Sequence, residues 1–129
     1  MKDRFKFRVW DKGNEQYVDY ADMLYIDPSG EITYGCYDGD REDMYYYEQD
    51  DVVIEQCTGL KDKNGKLIYE GDIVKRSKQA FIVEWCQDRL SFVLSNDENL
   101  FESYDITHFE WEVIGNIHEN IELLEQTNE

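Results

Sequence analysis

Proline occurs once in the 129 residues, at Pro28, and cysteine three times, at Cys36, Cys57 and Cys86. The cysteines are odd in number, 21 and 29 positions apart, and form no CxxC pair. That excludes the disulfide framework of a small secreted domain and the paired-thiol zinc motifs. No stretch approaches the ~20 apolar residues of a membrane span, and the opening MKDRFKFRVWDKG lacks the apolar core of a secretory signal. Basic residues are scarce as well: thirteen Lys and Arg face thirty Asp and Glu, a net charge of −17, and no Lys or Arg follows Arg89. A field of that sign repels phosphate and steers towards basic partners, so ordinary binding to a nucleic-acid backbone is not expected. The same charge also serves solubility alone. These absences together predict a soluble, reduced, cytoplasmic protein.

What is present is aromatic. Phe, Trp and Tyr make up 15% of the chain, many in alternating runs, which separates it from a disordered acidic segment. FKFRVW (5–10) alternates with period two, placing Phe5, Phe7 and Val9 on one face and Lys6, Arg8 and Trp10 on the other. QYVDYADMLYI is the returning strand, DPSG a turn, and EITYGCY a third strand. Beyond Val52, VVIEQCTG reads as a strand ended by Gly59, and Asn64-Gly65 as a tight reversal. GDIVKRS, AFIVEWC, LSFVLSN and FEWEVIGNI follow as strands with short links, the pattern of a small barrel or sandwich. Asn120 is the expected N-cap of a short final helix over IELLEQ.

FKFRVWDKGNEQYV, QCTGLKDKNGKLIYEGDIVK, the VEW at 83–85 and EVIGNIHENIELL together resemble the YopX family of small phage and prophage proteins. The resemblance implies a mainly β fold: an SH3-like small barrel in the C-terminal part, after an irregular N-terminal β lobe. With the strand pattern this gives a β-rich fold with minor α, divided into a lobe over 1–55 and a barrel with a short C-terminal helix over 56–129, expected to fold as one cooperative unit. The acidic, Tyr-rich loop of the lobe lies between Asp19 and Asp51, where nothing resembles the family. The resemblance implies no activity and carries over no catalytic or binding residue.

Thr58-Gly59, Asn64-Gly65 and Gly71-Asp72 read as three chain reversals in a scaffold, because the residues after them look like strands rather than the helix of a phosphate-binding loop. Asp38, Asp40, Glu42 and Asp43 sit at spacings that suit calcium, but an EF-hand loop from Asp38 would want Gly and Glu where Asp43 and Gln49 stand. Cys36, Cys57, Cys86, His108 and His118 have no chelating spacing, and no Cys lies in a nucleophile context. No enzyme, cofactor or metal site is therefore expected. Tyr45, Tyr46 and Tyr47, flanked by Asp40, Asp43 and Glu48, form the candidate partner-binding segment, since exposed Tyr offers large rigid contact area.

The expected function is that of a non-enzymatic phage or prophage accessory protein in the bacterial cytoplasm, binding a host or phage protein, with a basic surface the natural complement. Two alternatives stand beside it. One is an acidic nucleic-acid mimic that blocks a host DNA-binding protein. The other is direct nucleic-acid binding through the barrel, for which Lys2, Arg4, Lys6 and Arg8 with Phe5, Phe7 and Trp10 are the one basic stretch. Membrane binding is not expected, and self-association through a strand edge is left open.

Overall fold

The computed structural model describes residues 2–18, 24–26, 28, 32–34, 49–97 and 99–126. Strands dominate, and the protein is mainly β. Contacts divide the chain into two units, residues 7–55 and residues 1–6 together with 56–129.

In the 7–55 unit, strand β1 (Phe7–Asp11) pairs antiparallel with β2 (Gln16–Tyr17), setting Trp10 opposite Tyr17 and Asp11 opposite Gln16. Buried Asp11 makes the reversal: its Oδ1 accepts the N–H groups of Gly13 at 3.0 Å and Asn14 at 3.2 Å, and its Oδ2 accepts the Asn14 amide at 2.8 Å. A carboxylate satisfied in this way is tolerated inside a protein. Strands β3 (Leu24–Ile26) and β4 (Ile32–Tyr34) form a second antiparallel pair. Strand β5 (Val52–Lys61) begins in this unit beside β1.

Two expectations are corrected here. QYVDYADMLYI is not one returning strand, since β2 ends at Tyr17 and β3 starts at Leu24. The alternation of FKFRVW does not sort its side chains into core and solvent either. Lys2–Phe5 form a 3-10 turn that leaves Phe5 62% exposed. Val9 and Trp10, successive and on opposite faces, are both buried, Trp10 meeting Tyr17 edge-on with centroids 5.0 Å apart. Both faces of β1 are covered, which alternation alone does not reveal.

In the other unit β5 finishes alongside β6 (Leu67–Tyr69). Strands β7 (Asp72–Arg76), β8 (Gln79–Cys86), β9 (Ser91–Ser95) and β10 (Leu100–Phe101) then form an antiparallel meander. Helix α1 (Ser103–His108) follows, and β11 (Glu112–Asn116) returns to pair with β7, giving the order β10-β9-β8-β7-β11. This sheet curls into a half-barrel. Its core holds Ile68, Val74, Phe81, Val83, Leu94, Ile106 and Trp111. Helix α2 (Leu123–Gln126) packs against β8.

Gly59 does not end its strand. β5 continues to Lys61, and the register against β6 shifts between Cys57 and Lys61, so Thr58-Gly59 is a bulge rather than a reversal. Gly59 has φ 85°, and a Cβ there would lie 3.4 Å from that of Arg4. Thr58 spans the bulge, its hydroxyl donating to the Ile68 carbonyl at 2.7 Å and accepting the Leu60 N–H at 3.1 Å. The Asn64-Gly65 reversal forms as expected, Gly65 at φ 85°, between β5 and β6.

That reversal is organised by Asp62. Its Oδ1 accepts the N–H groups of Asn64 and Lys66, and its Oδ2 that of Val113 across 51 residues, each at 2.9 Å. Lys63 N–H donates to the Trp111 carbonyl at 2.9 Å. The next break is also closed by a carboxylate. Asp72, 1% exposed, accepts the Tyr69 N–H at 2.7 Å. Gly71 donates to the Val83 carbonyl and accepts from Ile117 N–H.

After β11 the chain turns on Asn116, whose Oδ1 accepts the N–H groups of His118 and Glu119 at 3.0 Å each. The Asn120 side chain does not cap α2 as the sequence implied. Its Oδ1 accepts the Asn116 N–H at 3.2 Å, and α2 starts three residues later. The fit requires Gly115, where a Cβ would come within 2.6 Å of Asn120 Oδ1.

Burial raises the Asp62 carboxyl's pKa, but the N–H donors of Val113, Lys66 and Asn64 outweigh it and hold the group below its ordinary value. A depressed folded pKa stabilises the protein above the unfolded value, and that contribution fades as pH falls below about 4. Asp62→Ala should cost about 2–4 kcal/mol in denaturant unfolding, Asp62→Asn less, and both should flatten the acid limb of the stability profile. Gly115→Ala should cost about 1–3 kcal/mol by displacing Asn120, read as a lower Tm.

Candidate functional site

The partner-binding segment expected from sequence, Tyr45, Tyr46 and Tyr47 with Asp40, Asp43 and Glu48, lies outside the described residues, as do Asp38, Glu42 and Cys36. Among the described residues no three His, Cys, Asp or Glu side chains gather as a metal-holding group, and no helix is long and apolar enough to cross a membrane. Cys57 is fully buried on β5, and burial pushes its thiol pKa up, with only partial relief from the Gly59 N–H at 3.4 Å. Such a thiol is a poor nucleophile. Cys86, at the end of β8, is half-buried.

The basic N-terminal stretch is not a continuous strip. Lys6 pairs with Asp3 at 3.0 Å. Arg8 Nε donates to Glu55 Oε1 at 2.8 Å, the Tyr17 hydroxyl donates to the same oxygen at 2.9 Å, and the guanidinium lies 4.7 Å over the Tyr17 ring. Glu55 is 2% exposed. A buried charge needs this much compensation, so the cluster holds β1, β2 and β5 together rather than presenting charge to a ligand. Sequence placed Arg8 on an outward face and gave no sign of its partner 47 residues away.

The arrangement left open is a cleft in the barrel unit, of about 320 Å³, lined by Arg76, Ser77, Lys78, Gln79, Phe81, Phe101 and Trp111. Three parts of the chain build it. The β7–β8 hairpin reverses through Ser77-Lys78, with Arg76 opposite Gln79 and Ser77 at φ 58°. Positive φ is what such a tight turn calls for, and Glu15 and Leu90 adopt it in the β1–β2 and β8–β9 reversals too. β10 brings Phe101, and the Asp62 turn fixes the backbone around Trp111. The aromatic rings are packed together: Phe81 meets Phe101 and Trp111 edge-on at 5.1 and 5.6 Å, with Phe81 and Trp111 buried and Phe101 half-buried at the cleft.

The rim is basic in an acidic protein. Glu112 is engaged by Lys63 at 3.5 Å, on the strand position opposite Lys75. Arg76 and Lys78 have no ion pair among the described residues; Arg76 lies 3.6 Å over the Phe109 ring. The Trp111 indole N–H is buried and has no hydrogen-bond partner among the described residues. A buried donor left unmade costs about 1–3 kcal/mol, which the ring's core packing against Phe81 and Phe101 offsets. A second cleft, of about 310 Å³, lies beside α2 and is lined by Ile82, Glu84, Ser95, Asn96, Asp97, Ile121 and Leu124. Its carboxylates give it the opposite sign, and Glu84 already accepts from the Ser95 hydroxyl at 2.9 Å.

The family model described as "YopX protein" matches residues 6–125. The chain belongs to the YopX family. A solved structure, that of protein EF1440 from Enterococcus faecalis, is similar at a TM-score of 0.56 and 29% identity, over 92% of this chain and 96% of that chain. Among curated proteins none matches.

The YopX-like motifs in this chain are structural. In TGLKDKNGKLIYEGDIV, Thr58 and Gly59 make the bulge, Asp62 and Gly65 the reversal, and Gly71 and Asp72 the entry to β7. In IGNIHEN, Gly115, Asn116 and Asn120 make the last turn. Arg76, Lys78, Phe81 and Phe101 of the cleft lie outside both motifs. No motif points to them, and the available signal was weaker: a basic KRSK run (75–78) in a chain with few bases.

In a Cys36→Ser background, the native protein should react with an aromatic disulfide reagent through Cys86 alone. Cys57 should titrate only on unfolding. Prompt modification of Cys57 in the folded protein would contradict its burial.

Proposed function

We propose that this YopX-family chain is a non-enzymatic interaction module, a phage or prophage accessory protein that binds a host or phage protein in the bacterial cytoplasm. The observation that carries this reading is the cleft of the barrel unit, where half-buried Phe101 meets two cations with no ion pair among the described residues. Aromatic residues and Arg dominate the energetics of protein interfaces, and a preformed cleft lowers the entropy cost of docking. The acidic segment with Tyr45, Tyr46 and Tyr47 enters this reading as a second contact, on the ground of its composition, and favours a partner with a basic surface.

A second reading, mimicry of nucleic acid, draws on charge distribution. Residues 7–55 hold three bases and fourteen acids, a net −11, whereas residues 1–6 with 56–129 hold ten and sixteen, a net −6. Acidity concentrated in this way would occupy a DNA-binding groove.

Both readings are tested by capture from bacterial lysate with the tagged full chain, alongside the double variant Arg76→Glu/Lys78→Glu. The interaction reading expects a specific protein retained by the wild type and lost from the variant. Retention by both, with release on adding DNA, favours the mimic. Retention by both that DNA leaves unchanged removes the cleft from the contact.

A further inference from the structure

We propose that the basic cleft is a recognition site for an extended acidic peptide segment, a carboxylate lying between Arg76 and Lys78 and an adjacent apolar side chain against half-buried Phe101. The proposal rests on the interaction reading above and adds the chemical class of the ligand. Its first support is electrostatic. In a chain of net charge −17, two neighbouring cations with no ion pair among the described residues form a local complement to negative charge. Cations on a cleft rim select among partners more than they raise affinity, so they speak to specificity.

The second support is size. About 320 Å³ is room for one or two side chains, not for a folded surface element.

Nucleic acid fits the same cleft less well. Single strands combine base stacking with a backbone carrying a charge at every nucleotide, and they need a groove of cations that tracks it. Here the cationic lining ends with Arg76 and Lys78, and the protein's overall field opposes the remaining phosphates. A peptide with one or two carboxylates meets two cations and stops there. Binding should therefore show a shallow salt dependence, set by one or two charge pairs rather than many.

The test is fluorescence anisotropy on the full chain with four labelled probes. These are a short peptide with Glu on both sides of a central Phe, the same peptide with Gln for Glu, a neutral Pro-rich peptide, and a single-stranded oligonucleotide. The proposal expects the Glu peptide to bind and the Gln peptide to bind about tenfold more weakly. Arg76→Glu/Lys78→Glu, at exposed positions, should remove that preference. Equal binding of the Glu and Gln peptides, or tighter binding of the Pro-rich peptide, overturns the acidic class while leaving an interaction module. Preference for the oligonucleotide overturns both. If no peptide binds but lysate capture still depends on Arg76 and Lys78, the peptide class falls and the interaction reading stands; if capture is also indifferent to them, both fall.

Discussion

The barrel unit depends on one carboxylate. Asp62 stands where β5 ends, and it accepts two N–H groups of the reversal that follows and one from β11, 51 residues on. A turn and a strand return are thus tied to the same two oxygen atoms. The tie reaches the cleft, because Lys63 N–H holds the Trp111 carbonyl one residue before β11 begins. Local turn chemistry thereby sets the position of Trp111 beside the cleft. Charge is well suited to this role: hydrogen bonds to an ionised acceptor are about twice as strong as neutral ones, and a carboxylate accepts from several directions.

The same device recurs wherever an acid is buried. Asp11 closes the β1–β2 reversal, Asp72 the entry to β7, and Glu55 takes Arg8 and Tyr17. Burying a carboxylate without donors would be prohibitive, and each of these has them. The acids of this chain therefore fall into two populations. A few act as internal acceptors that shape turns, and the many others supply the negative field. Arg76 and Lys78, with no ion pair among the described residues, stand out against that field, which is why the local sign of charge there is informative although the overall charge is not.

Legibility in the sequence followed the range of the interactions concerned. β7, β8 and β9 were plain, because period-two apolar runs bounded by short polar links need no distant partner to be recognised. The Asn64-Gly65 reversal was plain for the same reason. Helix α1 was not, since six residues give less than two turns and, among its described side chains, Ile106 alone joins the core. Gly59 reads locally as a stop, and only the pairing of β5 with β6 makes it a bulge. Asn120 reads as a helix cap, and only the close approach that Gly115 permits turns its side chain back to Asn116.

By itself, the sequence determined that the protein is rich in β strands, that the chain reverses at Asn64-Gly65 and how acidic it is, because these follow from side-chain period, backbone preference and charge, all properties of neighbouring residues. The tertiary structure alone decided which side chains are buried and which are gathered. Trp10 is buried because β1 is covered on both faces, and Phe5 is exposed because it sits in the 3-10 turn before that strand. Arg76, Lys78, Phe101 and Trp111 come from three separate segments, and their meeting depends on strand pairings between residues far apart in the chain. Pairing of that kind is settled by the packing of the whole unit, and no local pattern encodes it.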